Sequence, residues 1–413
     1  MRVLFTCQAA VPHLYPVVPL AWACRAAGHE VRIASGSRVG GHIADAGLPA
    51  VEITATPQWT DEERKETQAT IYGQGPWPQN WGLDLGALGP ERQAYLRFIA
   101  GRLIRGAAAM VPELAEFAAD WRPDLLVYDA ISFAGPVVAA RLGIPGIRYL
   151  FGTVAMPRIE LDACGEPLPE YVRLFGDHGL PVCLAPAAAV DVTPPSLRLM
   201  SEVDTLAMRY IPYNGPGVVP EWVGVPAGRP RVCVTWGHTA GAALGGQAGH
   251  PFRQAIDALA GLDVELVVVT TAEQIELLGA LPPGTRTAAS VPLQLILPHC
   301  DLLVQQGGDG TTLTGAALGL PQLGISRKPD AEVAPGRLAG AGAGIHLRYQ
   351  ELRDDPARAD VLRGAVERLL TDPAYRQAAQ RLRTEIENQP APAELVPVLA
   401  DLAETPVALE VGS

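Results

Sequence analysis

The chain of 413 residues contains few cysteines, and they form no recognisable site motif. No two of them form a C-x-x-C pair, and none clusters with histidine; they are Cys7, Cys24, Cys164, Cys183, Cys233 and Cys300. A disulfide framework and a cysteine-based metal site are therefore not indicated. Scattered thiols are typical of a reduced compartment, so we expect a cytoplasmic protein.

Positive charge is also scarce. The chain has 32 lysines and arginines against 44 aspartates and glutamates, which gives a formal net charge of −12. A nucleic-acid-binding protein needs a basic surface to neutralise phosphates, and docking on an anionic membrane needs the same. We therefore expect neither partner.

Long hydrophobic runs are absent, since no stretch approaches the ~20 apolar residues that span a bilayer. Residues 1–24 superficially resemble a signal peptide. However, Pro12, Pro16 and Pro19 interrupt the apolar run, which continues into a predicted helix and strand. We expect a soluble protein without a signal peptide.

The chain does contain a repeated alternation of strands and helices, typical of parallel sheets covered on both faces. The predicted strands are Arg2–Thr6, Glu30–Ala34, Asp124–Tyr128, Gly146–Leu150, Arg231–Thr235 and Val264–Thr271, and the main predicted helices are Tyr15–Ala27, Phe133–Leu142, Phe252–Ala260, Ala272–Gly279 and 373–386. Residues 213–230 hold four prolines and four glycines, a linker composition. This predicts one α/β domain over 1–212 and a second over 231–372.

Residues 54–95 break the alternation. The segment is polar, rich in glycine and proline, and predicts an irregular insertion carrying Trp59, Trp77 and Trp81. Bulky aromatic residues in such an insertion either pack locally or contact a ligand.

The segment from Cys300 to Thr312 is the most informative motif. An apolar strand over Leu302–Val304 is followed by three glycines and by a helix predicted to start near Thr311. Such a turn directs unpaired N–H groups and the positive helix end toward an anion, commonly a phosphate. Taken alone, the motif fits either a ligand site or a plain tight turn.

With its flanking sequence, this segment resembles the nucleotide-sugar glycosyltransferases that decorate antibiotics and other natural products. The family motif is usually His-His-Gly-Gly-x-Gly-Thr, followed by Gly-x-Pro-Gln and an acidic residue. The N-terminal stretch from Met1 through His13 to Val31 is similar to the family's first strand, loop and helix. The resemblance covers essentially the whole chain. It implies the GT-B fold, an α/β architecture of two facing Rossmann-like domains with a cleft between them, and closing helices over 373–408 that cross back to the first domain.

The resemblance also implies an activity. The family suggests an inverting transfer of a sugar from a dTDP-sugar to a polyketide or another bulky, hydrophobic aglycone in antibiotic biosynthesis. His13 matches the family's catalytic histidine, and an imidazole side chain suits a general base at cellular pH, although a loop histidine can also lack a role. Asp129 matches the aspartate that orients this histidine, and it is also a candidate helix N-cap, a role compatible with the first.

Further positions match the donor-binding and acceptor-binding regions of the family. The donor-binding candidates are Gly237, His238, Thr239, Val291, Gln306, Gly307, Gly308, Gly310, Thr311 and Asp330, and the acceptor-binding candidates are Trp59, Trp77 and Trp81. Two of them have plainer alternatives, because His238 could be a solvated loop residue and Asp330 a turn former.

Four positions depart from the family pattern. Gln306 replaces the second histidine, and its neutral amide cannot become cationic. Asp309 adds negative charge near the helix start, and Ser290 stands where a tryptophan often lies near the base. Ala331 replaces the glutamine after the sugar-binding acid, and this loss of a hydroxyl partner fits a deoxysugar.

The sequence has no D-x-D pair of the kind that holds a divalent cation on a diphosphate, so we expect neither a metal nor another cofactor. Two alternative functions remain open. One is a C- or N-glycosyltransferase on the same scaffold, and the other is a non-catalytic homologue that assists a partner enzyme. The sequence also leaves open the sugar, the aglycone and the oligomeric state, a homodimer included.

Overall fold

Two parallel sheets organise the computed structural model, which describes residues 1–57, 59–152, 158–199, 205–237 and 251–405. The first sheet has the order β3-β2-β1-β4-β5-β6-β7. Its strands are β1 (Arg2–Thr6), β2 (Glu30–Gly36), β3 (Ala50–Ile53), β4 (Leu125–Asp129), β5 (Gly146–Leu150), β6 (Ala188–Asp191) and β7 (Thr205–Ala207). All neighbouring pairs are parallel; Phe5, for example, aligns with Ile33 on one side and Val127 on the other.

The second sheet has the order β10-β9-β8-β11-β12-β13, again with parallel neighbours. Its strands are β8 (Arg231–Thr235), β9 (Glu265–Thr270), β10 (Arg286–Ala289), β11 (Leu302–Gln305), β12 (Gln322–Ser326) and β13 (Gly344–Arg348). The strands β8, β9, β11 and β12 are buried at every residue. Burial on both faces explains their continuous apolar runs and confirms the predicted α/β class.

Helices cover the faces of both sheets. Those of the first part are α1 (Val11–Leu14), α2 (Val18–Ala26), α3 (Gly40–Asp45), α4 (Asp61–Tyr72), α5 (Pro90–Trp121), α6 (Ala134–Leu142) and α7 (Pro169–Gly176). Those of the second part are α8 (Pro251–Leu259), α9 (Ala272–Leu278), α10 (Leu293–Ile296), α11 (Asp309–Ala317), α12 (Pro329–Gly340), α13 (Tyr349–Leu352), α14 (Arg358–Thr371), α15 (Pro373–Glu387) and α16 (Pro392–Glu404). Single 3₁₀ turns lie at Tyr15–Val17, Ser37–Val39, Trp81–Leu83 and Leu297–His299.

The first helix is broken where the sequence predicted one continuous helix over Tyr15–Ala27. Three short segments follow one another, namely α1, the turn Tyr15–Val17 and α2, and each has a proline in its first two positions. Proline is tolerated there because the N–H it lacks has no helical partner. The prolines that interrupt the apolar run therefore restart the helix at each step.

The prediction of an irregular insertion over residues 54–95 is wrong for part of that segment. Helix α4 occupies the middle, and the 32-residue helix α5 begins at Pro90. Thr60 and Glu63 form a capping box at the start of α4, each side chain bonding the other residue's backbone N–H. This local pattern stabilises a helix start even in a polar segment.

The last helix returns to the first sheet. Leu395, Val396 and Leu399 of α16 are buried in the same apolar cluster as Leu20 and Ala21 of α2. The predicted domain boundaries at 212, 230 and 372 stay predictions. No helix within the described ranges is both long and apolar enough to cross a membrane.

Candidate active site

A cavity of about 320 Å³ lies between the two sheets, at the carboxyl ends of their strands. Ligands collect at this edge in open α/β folds. The first sheet contributes the loop and helix after β1, including His13. The second sheet contributes the loops after β8 to β12, with Gly237, Thr271, Val291, Gln306, Gly307, Gly308, Asp309, Gly310, Thr311, Lys328 and Asp330.

His13 and Asp129 meet at the wall formed by the first sheet. His13 lies in α1 with its side chain 18% exposed, and Asp129 ends β4 and is fully buried. His13 Nδ1 is 3.6 Å from Asp129 Oδ1, which is beyond hydrogen-bond length, and Nδ1 has no other partner among the described residues. The Phe151 ring packs edge-on against the imidazole, 4.6 Å between centroids.

The Asp129 carboxylate is fixed by two backbone groups. The N–H of Gln8 donates to Oδ2 at 2.6 Å, and the N–H of Ile131 donates to Oδ1 at 3.0 Å. Asp129 does not cap the following helix, because α6 begins later with Phe133 at its N-cap. Its bonds instead hold the β1 and β4 loops together, so that the carboxylate faces the imidazole.

The glycine turn is built as a backbone cradle. Gly307 has φ +100°, its N–H donates to Gln305 Oε1 at 2.5 Å, and a Cβ there would overlap the Ala331 carbonyl oxygen. Only glycine fits this position. Helix α11 starts at Asp309, two residues earlier than predicted, with Gly308 at its N-cap and no side-chain cap bond. Its first-turn N–H groups therefore stand at the cavity.

The two glutamines before the glycines play different parts. Gln305 is fully buried, and its Nε2 donates to Thr312 Oγ1 at 2.9 Å, so it holds the turn in shape. Gln306 lines the cavity, and its Oε1 has no bonding partner within the described part of the chain. Gly237, at φ +63°, leaves room for this amide, because a Cβ there would stand 2.6 Å from Gln306 Nε2.

The acidic candidate Asp330 is paired with a cation that the sequence analysis missed. Lys328 Nζ lies 2.8 Å from Asp330 Oδ2, and both side chains line the cavity. Burial lowers the pKa of Lys328, but the charge and hydrogen bond of Asp330, with smaller contributions from Tyr72 and Asp309, together raise the pKa overall. The available signal was the Lys-Pro-Asp order itself, because proline favours the first position of a helix and so places Lys328 at the N-cap and Asp330 in the first turn of α12.

The linker region also contributes to the cavity. Tyr213 and Asn214, predicted to belong to the linker, line it together with Tyr210. The Tyr210 hydroxyl donates to the Gly310 carbonyl at 3.1 Å, and burial raises its pKa to about 12, so it stays protonated. Most of the predicted donor-binding residues thus come together, whereas His238 and Thr239 lie outside the described residues.

The three tryptophans are placed differently. Trp77 and Trp81 are only 2% and 3% exposed and pack edge-to-face, 4.7 Å between centroids. Trp59 lies beneath the guanidinium of Arg102, 3.7 Å from the ring centre. None of the three is among the described residues that line the cavity. Their placement supports the packing interpretation, since burying large aromatic surface stabilises the insertion.

The electrostatics of the cavity are weakly acidic. The carboxylates of Asp309 and Asp330 line the cavity together with the ammonium of Lys328, so the described lining has two acidic groups and one lysine. Within the described residues, no group of three or more histidine, cysteine or acidic side chains is arranged to hold a metal ion. The groups at the cavity that stabilise negative charge are the start of α11, its backbone N–H groups, the amide of Gln306 and the ammonium of Lys328.

Two family models match the chain. The model described as erythromycin biosynthesis protein CIII-like, N-terminal domain, matches residues 22–237, and the corresponding C-terminal domain matches residues 253–402. A 10-deoxymethynolide desosaminyltransferase from Streptomyces venezuelae is 36% identical, covering 98% of this chain and 97% of the relative. An aklavinone 7-beta-L-rhodosaminyltransferase from Streptomyces galilaeus is 35% identical, covering 97% and 96%.

Solved structures are similar over the same length. The spinosyn rhamnosyltransferase SpnG complexed with thymidine diphosphate has a TM-score of 0.79 and 29% identity, covering 97% of this chain and 100% of that one. The glycosyltransferase VinC in complex with dTDP has a TM-score of 0.78 and 30% identity, with 98% and 100% covered. The matching family models, the full-length relatives and the two facing sheets show that this chain belongs to the erythromycin biosynthesis protein CIII-like family and is a glycosyltransferase of the GT-B fold.

Proposed function

We propose that this enzyme transfers a deoxysugar from a dTDP-sugar to a hydroxyl group of a polyketide aglycone, with inversion at the anomeric carbon. The observation that carries the proposal is the single cavity that joins His13 on one side to the glycine turn of α11 on the other. Relatives named as desosaminyl- and rhodosaminyltransferases support the deoxysugar, and solved relatives bound to thymidine diphosphate support the nucleotide.

The mechanism is one in-line displacement. The acceptor hydroxyl loses its proton to His13 Nε2 as its oxygen attacks C1 of the sugar. The new C1–O bond forms while the bond from C1 to the diphosphate oxygen breaks, and dTDP leaves with the electron pair. Asp129, 3.6 Å from the other ring nitrogen, favours the imidazolium that results. Because one displacement completes the transfer, no covalent enzyme intermediate forms.

The donor side supplies the stabilisation of the leaving group. The first-turn N–H groups of α11 and the neutral amide of Gln306 face the position proposed for the diphosphate. Asp330 is proposed to accept hydrogen bonds from sugar hydroxyls. The acceptor is proposed to enter beside the apolar residues Val11, Pro12 and Phe151, which border His13 in the cavity.

The test is direct. The protein is incubated with a panel of dTDP- and UDP-sugars and with polyketide aglycones, and nucleotide release and the mass of the product are measured. The proposal expects a glycosylated aglycone from a dTDP-deoxysugar, with inverted configuration by NMR. A carbon- or nitrogen-linked product would support the rival linkage. Donor binding without turnover for any acceptor would support the non-catalytic homologue.

The cellular setting is also part of the proposal. We infer a cytoplasmic enzyme, and the presence of all six cysteines as free thiols supports this. Fractionation of cells that express the protein tests it, since activity in a membrane or extracellular fraction would contradict the assignment.

A further inference from the structure

Binding a diphosphate in this cavity poses a charge problem. The family position that can carry a cationic imidazole holds Gln306, whose amide is neutral. Two carboxylates, Asp309 and Asp330, also line the cavity. The helix start of α11 contributes only a partial positive charge, so a full cation is needed to offset the donor's phosphates.

Lysine is rare in this protein, and one of its two lysines stands at the site. The chain contains 30 arginines but only Lys65 and Lys328. Lys65 is an exposed residue of α4, whereas Lys328 lines the cavity. Among the described lining residues, Lys328 is the only lysine or arginine. The neighbouring sequence segment 238–250 contains neither residue type.

Two consecutive cations have different partners before the start of α12. The guanidinium of Arg327 stacks over the rings of Tyr72 and Tyr349, at 5.4 and 5.8 Å from their centres. Lys328 instead reaches Asp330 Oδ2 at 2.8 Å, with 27% of its side chain exposed. Lys328 is one of the residues that line the cavity, so a ligand bound there can contact its side chain.

We propose that the Lys328 ammonium binds the diphosphate of the sugar nucleotide, exchanging part of its ion pair with Asp330 for the phosphate oxygens. The inference rests on the donor site described under Proposed function. In this exchange the Asp330 carboxylate is released to accept hydrogen bonds from the sugar. A lysine suits the role because its compact charge and rotatable donors reach phosphate oxygens without a fixed fork geometry.

Asp330 thus has two states. Without donor, it neutralises Lys328 and keeps the ammonium beside the glycine turn. With donor, the phosphates neutralise Lys328, and Asp330 faces the sugar. The pKa of Lys328 is raised, so the ammonium keeps its charge throughout the working pH range.

The rarity of lysine makes a chemical test specific. The protein offers three amines to an amine-reactive succinimidyl acetate, namely the N-terminus, Lys65 and Lys328. Acetylation is followed by peptide mass spectrometry with and without saturating dTDP. We expect dTDP to slow acetylation of Lys328 at least fivefold and to leave Lys65 unchanged. Equal rates at Lys328, with dTDP binding confirmed by calorimetry, would overturn the proposal.

A second test separates the phosphates from the nucleoside. Thymidine, dTMP and dTDP are titrated against wild type, Lys328→Met, Lys328→Arg and the control Lys65→Met. We expect Lys328→Met to weaken dTDP about ten- to hundredfold, the usual range for a charged hydrogen bond, without changing thymidine binding. Lys328→Arg should restore part of the affinity, and Lys65→Met should match wild type.

The outcomes distinguish this inference from the proposed function. Suppose wild type and Lys328→Met prefer dTDP over thymidine by the same factor. The role proposed for Lys328 is then wrong, while the donor assignment stands. If wild type binds UDP in place of dTDP, the choice of nucleotide is wrong, and the Lys328 criterion applies to UDP against uridine. Failure of wild type to bind either diphosphate overturns both. Melting temperatures of all variants confirm that they are folded.

Discussion

His13 Nδ1 lies 3.6 Å from Asp129 Oδ1, close enough for an ionic interaction but too far for a hydrogen bond. The carboxylate is held in place by the backbone N–H groups of Gln8 and Ile131, while the imidazole is held by α1 and the ring of Phe151. A small shift of the imidazole toward Asp129 would complete the bond. Catalytic hydrogen bonds often tighten in this way only when substrate is bound.

Replacing His13 by alanine should lower turnover by about two to four orders of magnitude, the usual contribution of a positioned general base. The affinity for dTDP should stay unchanged, because the donor contacts that we propose come from residues that follow strands of the second sheet. Steady-state rates and a dTDP titration measure the two effects. A variant with near wild-type turnover on a hydroxyl acceptor would remove His13 from the role of base.

Replacing Asp129 by asparagine should impair both catalysis and stability. The carboxylate accepts hydrogen bonds from two backbone N–H groups. The asparagine amide would turn its NH₂ group toward one of these N–H groups, and two donors cannot bond each other. We expect a loss of about 1–3 kcal/mol in the free energy of unfolding, together with a lower turnover from the misoriented imidazole. Denaturant unfolding and rate measurements on one preparation give both values. An unchanged rate would exclude the dyad.

Replacing Gly307 by alanine should weaken donor binding and destabilise the protein. The added Cβ would overlap the Ala331 carbonyl oxygen, and alanine would have to adopt a φ of +100°, so the start of α12, which carries Asp330, has to move. Gly101→Ala is the matched control, because nothing stands within 4 Å of its added Cβ in α5. The control should be neutral or stabilising by up to about 1 kcal/mol. If the two variants had the same donor affinity and the same stability, the conclusion that only glycine fits at position 307 would be wrong.

Replacing Trp81 by phenylalanine should raise the donor KM roughly fivefold, the equivalent of about 1 kcal/mol for one hydrogen bond. The indole N–H donates to the Pro329 carbonyl at 3.1 Å, directly before Asp330, and so holds the start of α12, where the proposed sugar contact lies. Trp22→Phe is the control, since its indole donates to the Ala46 carbonyl at 2.8 Å, which does not line the cavity, and phenylalanine keeps an aromatic ring against Tyr213. If both variants change KM alike, the bond has no special role.

His346 should make stability depend on pH. Burial, and secondarily the charge of Arg348, lowers its pKa from 6.5 to about 4, while its Nε2 bonds Ser326 Oγ at 2.6 Å. Below pH 6.5 the unfolded chain takes up a proton that the folded protein accepts only near pH 4. Stability from this group is therefore complete above pH 6.5 and lost as the pH falls, by roughly 3 kcal/mol in all.

The measurement is the free energy of unfolding of wild type and His346→Gln between pH 7.5 and 4.5. The difference between the two proteins removes the contribution of the other titrating groups. We expect the wild type to lose more stability than the variant over this range. Parallel curves would show that His346 does not resist protonation in the folded state.

Local patterns in the sequence predicted much of the scaffold. The predicted strands at Arg2–Thr6, Gly146–Leu150 and Arg231–Thr235 have the bounds observed in β1, β5 and β8. Short apolar runs between turns identify buried parallel strands, because such strands are covered on both faces. Helix α4 was missed although its capping pair, Thr60 and Glu63, lies three residues apart, because the polar composition of the insertion obscured it.

The sequence by itself determined the sheet class, the glycine turn and the family, since each depends on neighbouring residues or on motifs that stay local along the chain. Only the tertiary structure decided that Trp81 packs against Pro329, that Lys328 faces the cavity while Arg327 turns away, and that His13 stops short of Asp129. These outcomes depend on contacts between residues that lie up to 248 positions apart in the sequence. Close packing and charge interactions in three dimensions determine these contacts, and no local sequence pattern predicts them.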